Sequence, residues 1–320
     1  MGLCYHYLRL NKQSDPFPRI LGTNIDEFQN HLSMLQKNYQ LISLEDASNL
    51  SYGGISFHKK NLGILITFDD GLADHYTAAK ILSELNISAI FFIPTCILEE
   101  KLPANPTIIH YTIAVFGIEK FLKEFRESLV NNKLDSKLFD LQYSKSKDNL
   151  GETISRIKST FKYKLGYYDS RKILLDIYKN LFSSEYKNML STIHLTESQI
   201  REMLEMGHYV GTHTYSHISV AATELNSDDF IKEIISPKNY LEQKFNTKVN
   251  SFSYPFGGKN DCLSSSELIK KTSEYNLAFT VEEILNTRNT SPYQLGRYQI
   301  NSSDTSFKLN SIIQNISKKN

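Results

Sequence analysis

A chain of 320 residues can bury roughly three quarters of the surface its unfolded form exposes, room for one large α/β domain or two small ones. Its 36 basic and 35 acidic residues nearly cancel, which excludes the electrostatic footprint of a protein that binds nucleic acid or an anionic membrane surface. Three scattered cysteines, Cys4, Cys96 and Cys262, form no CxxC pair, which argues against a disulfide framework and a thiolate metal site, and buried apolar roles are expected.

The opening MGLCYHYLRL has no basic n-region, long apolar h-region or small-residue cleavage site. No uncharged apolar run approaches the ~18 residues needed to span a bilayer, so a soluble, cytoplasmic protein without an integral membrane segment is expected. Short runs rich in Ile, Val, Phe and Tyr recur in strand lengths at 2–8, 39–44, 62–68, 87–94, 208–213, 249–255, 277–282 and 293–300. Between them lie helical patterns. Ile25, Phe28, Leu32 and Leu35 recur at spacings of three and four, and TESQIREMLEMGH opens on the capping residue Thr196 and closes at Gly207. Further helices are expected at 75–86, 227–245 and 264–275.

Alternating strands and helices imply parallel strands with helical crossovers, hence an α/β barrel or a doubly wound sheet. Residues 100–195 break the rhythm with helical stretches around a polar loop, YSKSKDNLGET, and are read as a helical insertion in a single domain spanning 1–320. The tail SIIQNISKKN is expected to be a short helix that frays.

Two stretches carry chemistry. LITFDDGLADHY sets two acids, Asp69 and Asp70, side by side where an apolar strand ends. A carboxylate is costly to bury unpaired, so the pair demands partners. GHYVGTHTYSHISV places His213 and His217 four apart, the spacing that puts two imidazoles on one face of a helical turn. A catalytic zinc commonly takes two histidines and one carboxylate, while a second carboxylate nearby serves as base. Histidines four apart are otherwise often a coincidence of surface or core.

TFDDG (67–71), HTYSH (213–217) and FSYPFG (252–257), in that order, resemble the polysaccharide deacetylases of the NodB homology group, carbohydrate esterase family four. CYHY, FQNHLSMLQKNYQLISLEDA, AIFFIPT, LGRYQI and the insertion from IIHYTIA look like members encoded in bacterial surface polysaccharide clusters, so the resemblance runs over most of the chain. It implies a distorted (β/α)7 TIM-like barrel with a helical insertion and a site at the carboxyl ends of its strands. It also implies one divalent metal, zinc with cobalt, nickel or iron as alternatives, held by Asp70, His213 and His217. Asp69 would be the base, and the backbone N–H of Phe256 would hold the oxyanion.

Two departures from the family pattern stand out. Ser253 occupies the position where many members carry the arginine that orients the catalytic aspartate, leaving Asp69 without its usual partner. No histidine follows His217 to serve as the late general acid, and Arg297 and Tyr298 stand in that region instead. His6, His75 and His110 are the alternative acids, His6 first; the plainer reading of each is a hydrogen-bonded or helix-packing histidine. Tyr215, Tyr254, Pro255, His110 and Arg297 are the expected substrate contacts, with Asp74 also close to a motif.

The leading expectation is a metal-dependent hydrolase that removes an N-acyl group, chiefly acetyl, from a nucleotide-linked or lipid-linked amino sugar during assembly of a surface glycan. The competing readings are a degenerate member that binds a glycan without hydrolysis and a hydrolase of a non-sugar amide.

Overall fold

The computed structural model describes residues 1–9, 15–51, 62–139, 142–143 and 149–318. Among them, seven of the apolar runs form parallel strands of one sheet: Gly2–Tyr5, Gly63–Phe68, Ile90–Ile93, Tyr209–Thr212, Ser251–Ser253, Leu277–Phe279 and Arg297–Gln299. They follow one another in chain order, and the last returns to pair with the first, Gly2 beside Arg297 and Cys4 beside Gln299. Closure is completed where Phe279 bridges Leu295 and the Thr280 N–H donates to the Leu295 carbonyl at 2.8 Å. This is a distorted (β/α)7 barrel. Every residue of Gly63–Phe68 is buried, as a strand covered on both faces requires.

The local signals explain most of the helices. Helix Ile25–Asn38 starts where the Asn24 side chain accepts from the Asp26 N–H, and it buries Phe28, Leu32 and Leu35. Helix Glu197–Glu205 opens with a capping box in which Thr196 and Gln199 exchange hydrogen bonds, and the chain leaves it through Gly207 at φ 85°.

Four expectations need correction. YQLISL is a strand only at Gln40–Leu41, because Ser43 Oγ accepts from the Asp46 N–H as a local cap, the Ser43 N–H donates back to the Asp46 carboxylate, and helix Leu44–Ser51 follows. The helix expected over 227–245 is interrupted by a π-helical turn at Ile231–Ile235. The one expected over 264–275 is shorter, Ser266–Thr272. The C-terminal helix is longer than expected, Ser306–Lys318: it buries Leu309, Ile313 and Ile316, and Asn310 accepts from the Tyr39 hydroxyl at 2.7 Å.

The described residues of 100–195 carry five α-helices: Asn105–Phe116, Ile118–Asn131, Leu150–Tyr163, Tyr167–Phe182 and Tyr186–Ile193. They share an apolar core of their own, centred on Phe121, Phe125, Ile157, Ile173 and Ile177, to which Phe17 and Ile20 add from outside the insertion. Of the expected YSKSKDNLGET loop, residues 144–148 lie outside the described residues, and helix Leu150–Tyr163 begins just beyond, capped by Asn149.

Candidate active site

The chemistry-bearing stretches all leave the barrel at the carboxyl ends of strands, where the chain turns sharply. Asp70 sits at φ 78° with Gly71 at 58° behind it, and Phe256 at 65° precedes Gly257 at 64°. Thr214 and His217 lie at 58° and 65°. These four are among ten non-glycine residues with positive φ in the described chain, and left-handed backbone of this kind persists where surrounding structure holds it.

HTYSH is a loop, not a helical turn, which corrects the reading of the four-residue spacing. The Thr214 hydroxyl accepts from the backbone N–H groups of His217 at 2.9 Å and Ile218 at 3.3 Å, and this side-chain turn folds the two rings together. Their centroids are 4.6 Å apart. Nε2 of His213 and Nε2 of His217 lie 3.4 and 3.0 Å from the same oxygen, Asp70 Oδ1.

The donor set fits a cation. His213 Nδ1 is 2.8 Å from the Ser253 carbonyl, which can only accept, so that nitrogen carries the proton and Nε2 turns a lone pair on Asp70. Two acceptors facing each other need a positive charge between them. Asp70 Oδ1 is buried with no hydrogen-bond partner, and one ligand atom from each of the three residues falls within 4.8 Å of the others. Burial opposes charge on Asp70, yet the two imidazoles hold its carboxyl well below the usual range. Two histidines and one carboxylate suit zinc and its neighbours among the transition metals.

Asp69, next to Asp70 at the strand end, is bound by a residue that had no expected role beside it. Arg297 uses all five of its N–H donors: Nε on the Thr280 carbonyl at 2.9 Å, Nη1 on Thr67 Oγ1 at 2.9 Å and Asp69 Oδ1 at 2.8 Å, Nη2 on Asp69 Oδ2 at 2.7 Å and Ser253 Oγ at 2.8 Å. Burial would raise the Asp69 carboxyl, but the guanidinium and His213 hold it far below the usual carboxylate range. Ser253 Oγ and Cys4 Sγ also donate to Oδ2, at 3.0 and 3.3 Å. Oδ2 is therefore saturated, and Oδ1 keeps a free lone pair.

Two expectations change here. Asp69 does not lack an arginine: the last strand supplies one in place of the third motif. Arg297 is 0% exposed, so it is not placed to contact substrate. A signal for this existed, since an arginine inside the strand pattern YQLGRYQI must find a buried acid.

The other expected residues divide. His6 is half-buried, with Nδ1 3.8 Å from Cys4 Sγ, and a ring nitrogen lies within 4.8 Å of an Asp69 carboxylate oxygen. His75 is fully buried: Nδ1 accepts from the Leu72 N–H at 3.2 Å and Nε2 donates to the His6 carbonyl at 2.9 Å, a structural bridge remote from solvent. His110 pairs with the Tyr7 hydroxyl at 2.7 Å. Tyr215 and Tyr254 are core residues, 6% and 0% exposed, with the Tyr254 hydroxyl donating to the Tyr293 carbonyl, so neither is available to substrate. Pro255 is buried between Tyr254 and Phe256. Asp74 accepts from the Leu8 N–H at 3.0 Å and burial raises its carboxyl to about 8. The Phe256 ring stands edge-on to His217 at 4.7 Å, and its N–H has no recorded acceptor among the described residues.

A groove of about 790 Å³ opens from His217 and Phe256 between the insertion and the 218–229 loop. Two residues with no motif signal hold residues of its walls in place. Glu233, on the π-helical turn, is fully buried and accepts from the N–H groups of Tyr215 and Ser216, each at 3.0 Å, and from the hydroxyls of Ser216 and Tyr167 at 2.7 Å. It ties the histidine loop to the insertion. Asp261 binds Lys162 at 2.6 Å and Ser219 at 2.5 Å, and the Lys162 ammonium also lies 4.0 Å from the Phe256 ring centroid.

With this geometry in place, comparison with known proteins gives a consistent answer. The family model for polysaccharide deacetylase matches residues 181–274, which include the histidine loop and the third motif. Among solved structures the chain is similar to the Streptococcus pyogenes deacetylase PplD in complex with acetate, with a TM-score of 0.60 and 18% identity over 97% of this chain and 96% of that one. It is similar to BC0361, a polysaccharide deacetylase from Bacillus cereus, with a TM-score of 0.56 and 16% identity over 98% of this chain and 68% of that one. It is also similar to IcaB from Ammonifex degensii, with a TM-score of 0.55 and 16% identity over 98% and 96%. No curated protein sequence matches the chain. The chain thus resembles the polysaccharide deacetylase family in sequence over 181–274 and has the family's fold over nearly its whole length. No helix among the described residues is long and apolar enough to cross a membrane.

Proposed function

We propose that this protein is a metal-dependent carbohydrate N-deacetylase, a hydrolase that removes the N-acyl group, chiefly acetyl, from an amino sugar during cytoplasmic assembly of a surface polysaccharide. The observation that carries the reading is the division of labour between adjacent acids: Asp70 faces the Nε2 atoms of two histidines, while Asp69 is bound to Arg297.

Asp70, His213 and His217 would hold one divalent cation, zinc by preference, which when bound polarises an acyl carbonyl and acidifies a water molecule. Asp69 takes the proton of the attacking water at Oδ1, the oxygen with a lone pair to spare. Its weak basicity is tolerable because the proton is held only in passing. Arg297 keeps the carboxylate in one orientation and favours its return to the charged form once the proton has moved on. The Phe256 N–H, unpaired on a left-handed turn beside His217, stabilises the carbonyl oxygen as charge collects on it. His6, half-buried beside both acids, returns a proton to the departing nitrogen, so that water and amide become carboxylate and amine.

The test is release of acetate or formate from a panel of N-acylated amino sugars with zinc or cobalt supplied. Turnover that Asp69→Asn abolishes supports the reading; no turnover on any member of the panel overturns it. The glycan-binding alternative rested on the missing late histidine and on an aspartate without its arginine, and Arg297 removes the second of these grounds.

A further inference from the structure

The insertion carries a lysine that nothing above uses. Lys158 lies one helical turn before Lys162 on helix Leu150–Tyr163, but where Lys162 is neutralised by Asp261, the Lys158 ammonium makes no hydrogen bond or ion pair with any described residue. It is half-buried, an expensive place for a lone cation. It lines the groove that contains His217 and Phe256, and it also lines a second groove of about 710 Å³ bounded by Leu150 and Ile154 of the same helix. Lys158 is thus the residue at which the two grooves meet.

The second groove has a different character. Its walls include Ile20, Ile113, Ile118 and Ile154, and the apolar side chains of Leu21 and Leu150 stand 78% and 47% exposed at its rim. Its charged residues are Arg19, Lys120 and Lys158 against Glu119 alone, an excess of positive charge. Near the junction, the Tyr7 hydroxyl and His110 satisfy each other and do not compete for an anion. Burial lowers the Lys158 ammonium and the charge of Asp70 partly restores it, which places the lysine within electrostatic reach of the metal-ligand set.

We propose that Lys158 is the anchor for a phosphate on the substrate, and that the substrate is an amphiphile: its amino sugar in the first groove, its phosphate at Lys158, and a lipid chain along the apolar second groove. This rests on the deacetylase reading and adds the substrate class to it. A half-buried cation without a partner gains a counter-ion when the phosphate arrives, and the isoleucine walls gain cover when the chain does. A free nucleotide would satisfy the first need and not the second, because a base and ribose leave the aliphatic wall wet.

The experiment uses decyl phosphate as probe, below its micelle concentration, with binding to the full chain followed by calorimetry. Saturable one-to-one binding is expected, weakened at least tenfold in Lys158→Gln and retained in Lys158→Arg. Ile154→Asp, which puts a like charge in the apolar wall, is expected to weaken it at least tenfold with Lys158 intact. Thermal melts establish that each variant is folded. Inorganic phosphate and uridine monophosphate are expected to bind at least tenfold more weakly than decyl phosphate. Equal binding by Lys158→Gln and wild type overturns the proposal, and so does uridine monophosphate binding as tightly as decyl phosphate. Failure here is separable from failure of the deacetylase reading. If the protein hydrolyses neutral N-acetylated oligosaccharides but does not bind decyl phosphate, the amphiphile proposal alone falls. If it binds the probe as described and hydrolyses nothing in the panel, the hydrolase reading falls and the phosphate subsite stands.

Discussion

Arg297 and Asp69, 228 residues apart in sequence, meet as a two-pronged ion pair with neither side chain more than 3% exposed. A planar guanidinium matches a carboxylate in a way that an ammonium does not. Arg297→Lys keeps the charge and loses the fork and three further hydrogen bonds. We expect kcat to fall roughly 100-fold on any accepted substrate, while metal content stays that of the wild type. Arg297→Ala leaves a buried carboxylate alone and is expected to cost about 3–5 kcal/mol of stability. A kcat for Arg297→Lys within twofold of wild type would show that Asp69 needs no orientation.

The neighbouring strand gives an independent handle on the same pair. A Cβ at Gly2 would stand 2.5 Å from Arg297 Cγ, and the guanidinium beyond cannot swing away without dropping its five hydrogen bonds. Gly2→Ala is expected to cost about 1–3 kcal/mol by overpacking and to lower kcat at least tenfold, although residue 2 touches no substrate. Normal kcat in this variant, measured beside a melting curve, would mean that the arginine can shift without consequence.

How far the sequence foretold this arrangement depends on the distance over which its signals act. Strand-length apolar runs and capping residues are local, and the barrel strands and the helix starts at Asn24 and Thr196 were legible from them. The motif residues were legible as a set because they resemble a family. The Arg297–Asp69 pair is a contact between the last strand of the barrel and the second, and no periodicity records it. Tyr215 and Tyr254 were misjudged because tyrosine has an apolar body with a polar tip, and proximity to a motif does not say which end faces the groove. His213 and His217 come together through a hydroxyl-capped loop, which a four-residue spacing cannot distinguish from a helix. Glu233 lies in an ordinary amphipathic pattern, and its burial follows only from a π-helical turn.

Metal removal tests the donor set directly. A cation bound to the folded state alone, at a thousand times its Kd, adds about 4 kcal/mol of stability. Dialysis against a chelator is therefore expected to lower Tm by several degrees and zinc to restore it, whereas Asp70→Asn melts at the same temperature with and without zinc. If wild-type Tm ignores both chelator and zinc, the three residues do not hold a metal.

Glu233 should matter to the metal although it is not among the ligands. Its carboxylate accepts four hydrogen bonds, two of them from the backbone of the loop between His213 and His217. Glu233→Ala leaves buried N–H groups unpaired and is expected to cost about 3 kcal/mol, and the loosened loop to weaken zinc binding 10- to 100-fold. Zinc titration of a folded variant decides it: affinity equal to that of the wild type would reduce Glu233 to a stabilising residue with no hold on the histidines.

Histidines outside the metal-ligand set contribute to the response to acid: burial lowers His110 to about 3, and four more act as buried bridges. His31, His75, His194 and His208 each bridge backbone or side-chain groups across elements, and burial lowers the pKa of all four, to about 4 for His75 and His194. Their unfolded value is 6.5, so below it the unfolded chain binds protons that the folded chain refuses. The stabilisation is complete above pH 6.5 and drains away as pH falls toward 4. For His75 and His194 the loss between pH 7.5 and pH 5 is roughly 2 kcal/mol each. Buried Asp69 acts in the same direction only at much lower pH, since Arg297 holds its carboxyl far down. Urea midpoints measured at pH 7.5, 6 and 5 are expected to fall steeply, and His75→Gln and His194→Gln, whatever they cost at neutral pH, are each expected to flatten that slope. A midpoint that stays constant from pH 7.5 to pH 5 would mean that these imidazoles find solvent when they need it and are not the locked neutral bridges their hydrogen bonds describe.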